Sequence, residues 1–297
     1  MTQRLDVLLA KTHALSRRRA QDYIASGRVD VDGRTCREPG ATVSQDVRLA
    51  LDVNRPAAAR VRSRLVVHHE DRDIVIVEKP AGLLTLPTEA HEKDTLLSRV
   101  SAYLLHRFRR RPYVGVVHRL DKDTSGAVVF ARSREMLASL QKLFGRHEVS
   151  REYLAIVEGR VGKESGTVSL DLVADRGDRR RGTAKRGERG VPAVTHYRVL
   201  ERLRAATLVA LNLETGRTHQ IRLHMASLGH PVLGDRVYRG RDFEAPVLEV
   251  PRQMLHARTL GFVHPGTGEP VSAESPVPDD FRQALRSLKP RPRSASR

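Results

Sequence analysis

Val114-Gly115-Val116-Val117-His118-Arg119-Leu120-Asp121-Lys122-Asp123-Thr124-Ser125-Gly126-Ala127-Val128-Val129-Phe130 sets a polar nonapeptide between two apolar runs. Strands are rich in Val and Phe, whereas Asp, Thr, Ser and Gly favour turns, so residues 118–126 read as a polar loop between two buried strands. A loop held at both ends by rigid strands is a common place for a functional site. Working outward, Ile74-Val75-Ile76-Val77 reads as a buried strand that ends at the turn Lys79-Pro80-Ala81-Gly82. From Thr95 to Phe108, the residues Leu96, Leu97, Val100, Tyr103, Leu104 and Phe108 share one helical face. Ser133 can cap a helix bearing Met136, Leu137, Leu140 and Phe144, with Gly145 past its end. Tyr153–Val157, Val194–Leu200, Thr207–Leu213 and Leu255–Val263 read as strands, and Arg217–Leu228 as a short helix with Gly229 at its end. Many strands with a few helices between them predict an α+β architecture with a mixed sheet.

The composition narrows the class of partner. The 297 residues suit one large domain or two, and 39% hydrophobic residues suffice for a packed core. A formal net charge of +18 favours a polyanionic partner, nucleic acid first and an anionic membrane surface second. No run of about 18 apolar residues exists to span a bilayer. The segment Met1–Asp6 lacks the apolar core of a signal peptide. Cys36 is the single cysteine, so no intramolecular disulfide can form and a zinc–thiolate site is not expected. These features predict a cytoplasmic protein. Residues 176–190 carry seven basic and two acidic side chains, and residues 281–297 six basic and none acidic, so the two stretches hold 11 of the 18 net charges. Residues 175–191, rich in Arg and Gly without periodicity, read as a mobile loop or arm, and the chain from Pro290 as a disordered basic tail.

Residues 1–53 read as a small module. Leu5, Leu8 and Leu9 have helical spacing; Ser16 can cap a second helix through Arg17, Arg18, Arg19, Ala20, Tyr23 and Ile24; Gly27 is placed to end it. Val29-Asp30-Val31 then enters an Asp32-Gly33 turn. Lys11 and Arg17–Arg19 at the helix junction would favour phosphate. On charge alone, a solvated helix face is the plainer reading. In its order of elements, however, the module resembles the S4 RNA-binding domain over nearly its whole length. That resemblance implies RNA as partner without implying a reaction.

Several familiar sites are missing from the rest of the chain. No G-x-S-x-G elbow and no Gly-rich loop of the Walker or dinucleotide type occurs. His118-Arg119-Leu120-Asp121 is superficially similar to the kinase H-R-D loop, but the order differs and no D-F-G follows. His219 and His224 are five apart, not the four usual for a zinc pair, so no metal site is expected. One carboxylate loop and one basic helix remain. Near the start of that helix, Arg217, His219 and Gln220 could meet phosphate or a base edge. Ile221, Met225 and Leu228 read as its buried side. Arg222 lies beside that stripe, and a buried Arg needs an acidic partner, for which Asp121 is the obvious candidate. A neighbouring cation keeps the carboxylate ionised, fit for nucleophilic or base work. From residue types alone, a purely structural ion pair is an equally good reading.

His118-Arg119-Leu120-Asp121 with Thr124-Ser125-Gly126 resembles the signature loop of the RluA-type pseudouridine synthases. Further segments agree in order: Lys79-Pro80-Ala81-Gly82, Arg151-Glu152-Tyr153-Leu154-Ala155, Gly216–His224, Gly234-Asp235-Arg236-Val237-Tyr238, His256-Ala257 and Phe262–Pro265. The resemblance spans roughly residues 64–285 and implies a catalytic domain at 64–289 with a mostly antiparallel mixed sheet. The S4-like module at 1–53 and a linker at 54–63 precede it, and a tail at 290–297 follows. It also implies that Asp121 attacks, or acts as base beside, the ribose C1′ of a target uridine, whose freed uracil rotates and rejoins the sugar through C5. Tyr153 matches the family tyrosine that stacks on the base, and Arg222 the arginine paired to the aspartate. The target base must leave the helix, and Arg119 is placed to hold the opened site. No cofactor or metal is implied, and a monomer is expected. The S4-like module points to large-subunit ribosomal RNA before tRNA. Two departures stand out. Arg151 replaces the usual Lys with charge kept, and the basic stretch 176–190 is longer than usual, so it either tracks phosphate or is a solvated insert. The rival readings are a non-catalytic RNA-binding or ribosome-assembly protein, and an RNA-modifying enzyme of another chemistry such as a methyltransferase.

Overall fold

A computed structural model describes residues 2–36, 38–53, 65–109, 112–174, 181–185, 187–240 and 247–289. The expected linker, the expected tail, and residues 176–180 and 186 of the basic stretch lie outside the described residues. The chain divides into two compact units, Met1–Arg64 and Leu65–Arg297.

In the first unit, strand β1 (Thr2–Arg4) leads into helices α1 (Leu5–Thr12) and α2 (Arg17–Ala25), then strands β2 (Val29–Val31), β3 (Arg34–Cys36), β4 (Thr42–Ser44) and β5 (Leu49–Leu51). Ser16 caps α2 by accepting the Arg19 N–H at 3.3 Å, and Gly27 follows the helix with φ +71°. Asp32 and Gly33 both have positive φ, which a two-residue hairpin turn between β2 and β3 requires. Leu5, Leu9, Ala20, Ile24 and Val29 form the small core. Asp6 is fully buried beside it and accepts hydrogen bonds from Arg4, Arg17 and Gln21. Arg17, exposed like Arg18 and Arg19, is thus bonded to a buried carboxylate.

The second unit is built on one 11-stranded sheet. Its strands are β6 (Val67–Glu70), β7 (Ile74–Lys79), β8 (Gly115–Val116), β9 (Ser125–Ala131), β10 (Ser150–Glu158), β11 (Ser165–Val173), β12 (Gly182–Thr183), β13 (Val191–Leu203), β14 (Ala206–Leu213), β15 (Leu255–Val263) and β16 (Pro270–Glu274). Its helices are α3 (Leu96–Phe108), α4 (Arg134–Gly145), α5 (Gln220–Ser227) and α6 (Asp279–Leu288). The main strand order is β12-β11-β13-β14-β10-β15-β9-β7-β6, with β16 beside β15 and β8 beside β9. Every pairing is antiparallel except β15 with β9.

Central strands are covered on both faces, which is why they read as unbroken apolar runs. Val75, Val77, Val128 and Phe130 pack with α3 and α5. Their neighbours Ile74, Ile76, Ala127 and Val129 pack with Met136 and Leu140 of α4 on the other side. Leu154 and Ile156 meet Phe281, Ala284 and Leu288 of α6.

Four expectations shift. Ser125 and Gly126 open β9 rather than closing the loop. Gly126 is required there by its φ of +132° and by Ala257, whose carbonyl oxygen would lie 2.2 Å from any Cβ. Gly145 is the last residue of α4, not the residue after it. The helix expected over 217–228 is Gln220–Ser227, and Leu228 is exposed, because residues 215–219 make the turn leading from β14 into the helix. Within the stretch expected to be a loop, Gly182–Thr183 pairs with Leu172–Val173 at the sheet edge.

Candidate active site

Residues 117–124 connect β8 to β9 and are fastened from several sides. Lys79, fully buried at the end of β7, donates through Nζ to the carbonyls of Pro80, Leu83 and Lys122 at 3.0, 2.6 and 2.8 Å. Thr85 Oγ1 donates to the Leu120 carbonyl at 3.0 Å and accepts the Leu120 N–H at 3.2 Å. Arg252 donates to the Asp123 carbonyl at 3.1 Å, and Gln253 to Thr124 Oγ1 at 2.9 Å. Arg252 is itself clamped by Asp280 at 2.6 and 2.9 Å. His118 accepts the Val129 N–H at 3.2 Å through Nε2 and stacks on Phe144. Desolvation and then the nearby Arg151 charge push its pKa down to about 3, so the ring is neutral and can accept that bond.

Burial pushes the Lys79 pKa down to about 7, outweighing the opposing charges of Asp123 and Asp121. A cation with a lowered folded-state pKa weakens the fold below its unfolded pKa, because only the unfolded chain then takes up the proton. Stability should therefore rise from pH 7 towards the ordinary lysine value of 10.5, by at most about 1.4 kcal/mol per pH unit. Urea titrations across that range should show the rise in the wild-type chain and its loss in Lys79→Met. An unchanged slope in the variant would contradict this account of Lys79.

So fastened, the loop presents Asp121 to a cavity of about 580 Å³. Arg222 reaches Asp121 Oδ2 through Nη1 at 3.1 Å. Its other two nitrogens bond Asp235, which accepts from Nε at 2.6 Å and from Nη2 at 2.9 Å. Asp235 also accepts the N–H groups of Val237 and Tyr238. Burial works to raise its pKa, but the Arg222 hydrogen bonds and charge, with those two N–H groups, hold the carboxyl below its ordinary value. Arg222 thus joins two acids, and Asp235 is the deeper partner. The other oxygen of Asp121 faces His219 Nε2 at 3.8 Å, and His219 Nδ1 lies 2.7 Å from the Tyr238 hydroxyl. The Tyr238 ring in turn lies under the Arg222 guanidinium at 4.9 Å. Desolvation lowers the His219 pKa, with Asp121 opposing and Arg222 adding to the shift.

Tyr153 lies on β10 in the same cavity wall, and no hydrogen bond within the described residues uses its hydroxyl. Burial raises its pKa, Arg151 pulls it back, and Asp121 adds to the rise. Arg119 and Arg217 are exposed and line the cavity; Arg119 donates to Thr218 Oγ1 at 2.9 Å, and Arg217 to the Pro192 carbonyl at 3.4 Å.

Asp121, Tyr153, Arg222, Arg119, Arg217 and His219 therefore converge on one cavity. His219 is turned inward to Asp121, because it caps α5 in the left-handed region with φ +60°. Gln220, expected to meet RNA, also lines this cavity, with its amide turned into the protein. It is buried, and its amide is spent on Thr215 Oγ1, the Arg217 N–H, the Val194 carbonyl and Thr195 Oγ1. An amide with these partners braces the turn and has no donor left for a base edge. Sequence reasoning passed over Lys79, Asp235 and Tyr238, although each stands in a quoted motif, and over Arg252 and Gln253, which no motif marked.

Among the described residues, no group of three or more His, Cys, Asp or Glu side chains could hold a metal ion, and no helix is long and apolar enough to cross a membrane.

An aspartate bonded to a buried arginine thus shares a cavity with a tyrosine on a mixed sheet. Residues 73–227 match the RNA pseudouridylate synthase family and residues 3–49 match the S4 domain. The chain belongs to the RNA pseudouridylate synthase family: it is an isomerase acting on uridine in RNA. It is 40% identical over 300 residues to ribosomal large subunit pseudouridine synthase D of Pseudomonas aeruginosa, covering 97% of this chain and 92% of that protein. It is 36% identical over 299 residues to the uncharacterized RNA pseudouridine synthase YlyB of Bacillus subtilis, covering 97% and 95%. The solved structure of human RNA pseudouridylate synthase domain containing 4 aligns with a TM-score of 0.63 and 25% identity, over 75% of this chain and 92% of that one.

Proposed function

We propose that this chain isomerises uridines of large-subunit ribosomal RNA, with Asp121 as the group that acts at C1′ and Arg222 as the group that holds it. The observation that carries the assignment is the Asp121 carboxylate, tied at Oδ2 to a buried arginine and open to a cavity beside Tyr153. A structural ion pair would not need that opening, and the structural pair here is the one between Arg222 and Asp235. Tyr153 offers its ring as a stacking surface and its unengaged hydroxyl as a group near C5. Arg119 and Arg217 at the rim, and Arg18 and Arg19 on α2, are the cations for phosphate. Arg17 is exposed enough to join them while bonded to Asp6. The ribosomal target rests on the printed names of the relatives and on the S4 domain. The protein works as a monomer in the cytoplasm.

Mapping pseudouridines in ribosomal RNA and tRNA from cells with and without the gene tests the target. Loss at large-subunit sites supports the proposal, and loss confined to tRNA overturns it. An isomerisation assay on purified chain separates it from a non-catalytic RNA-binding protein. Binding should also fall steeply with salt, by about 10³-fold between 50 and 200 mM if some six phosphates are contacted. A flat dependence, measured by filter binding, would contradict the role given to these arginines.

A further inference from the structure

Three arginines of the catalytic unit are buried among the described residues: Arg151, Arg222 and Arg252. Arg222 and Arg252 each grip an aspartate with two nitrogens. Among the described residues Arg151 has no carboxylate partner. It is 7% exposed, and its Nε is buried without any hydrogen-bond partner. Its Nη2 is shared between the carbonyls of Leu213 and Glu214, both at 3.3 Å, and no hydrogen bond within the described residues uses Nη1. A guanidinium buried without a counter-charge is costly unless something else answers the charge.

Its surroundings indicate what that is. Arg151 lines the same cavity as Asp121 and stands two residues before Tyr153 on β10, so both side chains leave the strand on one face. The face of Phe144, 5.2 Å away, and the two carbonyls hold its orientation. Gly216 lies close against the remaining nitrogen, for a Cβ there would be 2.8 Å from Nη1. The guanidinium is held from behind and forms part of the cavity wall.

We propose that Arg151 is a catalytic residue that hydrogen-bonds the uracil ring in the anionic form it takes once its bond to the ribose has broken. This rests on the isomerase reading and on Asp121 acting at C1′. When the N1–C1′ bond breaks, its electron pair passes to the ring and is shared between N1, O2 and O4. Asp121 has the wrong sign to stabilise that charge, and Arg222 is engaged by two carboxylates. Arg119 and Arg217 are exposed to solvent, whereas Arg151 supplies a buried positive charge beside the ring that Tyr153 stacks. It donates hydrogen bonds and gives up no proton. Asp121 bonds C1′ as N1 departs; the ring turns, C5 displaces the carboxylate from C1′, the C5 proton passes to water and N1 takes one up from water, so reactant and product are isomers and nothing else is consumed. Pre-positioned donors aimed at developing charge act with no reorganisation during the reaction.

The test compares wild type, Arg151→Lys and Arg151→Gln under single turnover, on one RNA carrying either uridine or 5-fluorouridine at the target position. Fluorine makes N1 more acidic, so the departing ring carries its charge with less help. Arg151→Gln is expected to lower the single-turnover rate of uridine consumption by about 10²–10³-fold, with the half-saturating concentration little changed. The loss should be at least tenfold smaller on 5-fluorouridine, with Arg151→Lys in between. Equal losses on both RNAs would show a structural brace and overturn the proposal, as would wild-type rates in Arg151→Gln. Melting curves check the fold; if Arg151→Gln does not fold, the same two-substrate comparison on Arg151→Lys decides. A wild-type chain inactive on every RNA would instead overturn the assignment to Asp121 chemistry, an outcome distinct from either.

Discussion

Asp121→Asn and Asp121→Ala are expected to abolish pseudouridine formation, by at least about 10⁴-fold as for removal of a nucleophile, while RNA affinity and melting temperature stay close to wild type. The reasons lie in the partners of Asp121. Its backbone is held by bonds that a side-chain change leaves intact: Lys79 to the Lys122 carbonyl, Thr85 to Leu120, and Arg252 to the Asp123 carbonyl. Arg222 loses one contact at 3.1 Å but keeps both bonds to Asp235, so no guanidinium is stranded. The arginines proposed to meet RNA are elsewhere, at the cavity rim and on α2. The variants thus remove the reacting oxygen and little else. Thin-layer or mass analysis of uridine in the RNA substrate, with a binding titration on the same samples, reads both halves. Either variant turning over like wild type would sink the assignment.

Asp235 should show the opposite pattern, a large loss of stability. Asp235→Leu removes the carboxylate that holds two nitrogens of a buried arginine and the N–H groups of Val237 and Tyr238. Stripping one partner from a buried ion pair costs about 3–5 kcal/mol, and each kcal/mol shifts the melting temperature by about 2–4 °C in a domain of this size. Replacing both partners, Arg222→Met with Asp235→Leu, should recover much of that stability, because an apolar pair of similar volume needs no solvation. The double variant should nevertheless stay inactive, since nothing then holds Asp121 Oδ2. The pH dependence carries the same signature. A carboxyl held below its ordinary value stabilises the fold above the unfolded carboxylate pKa and loses that contribution as pH falls through the folded value. The wild-type chain should therefore lose more stability below about pH 4 than the double variant does. Equal acid sensitivity, or a double variant as unstable as Asp235→Leu, would show that the pair does not hold the site.

His219 and Gln220 show how far local reading reaches. Both stand in one polar run with Arg217 and Arg222, and by type any of them could meet a phosphate. The turn separates them: His219 takes a left-handed conformation and faces Asp121, Gln220 is buried to brace the turn, and Arg217 stays exposed. Residue type says what a side chain can bond to, and the backbone path decides what it meets.

The sequence by itself determined the strand–loop–strand unit around Asp121, the caps Ser16 and Ser133, the turn at Asp32-Gly33 and the mixed sheet. These depend on periodicity and on contacts within a few residues, which the chain states directly. Only the tertiary structure decided the partners of the buried charges. Lys79 reaches Lys122 across 43 residues, Gln253 reaches Thr124 across 129, and Arg222 takes Asp235 as well as Asp121, 13 and 101 residues away. Arg151 is the sharpest case: its lack of a carboxylate among the described residues becomes visible only once the sheet has placed their acids. A buried charge is stabilised by whatever the fold brings to it, and that set of neighbours is a property of the whole sheet rather than of any segment.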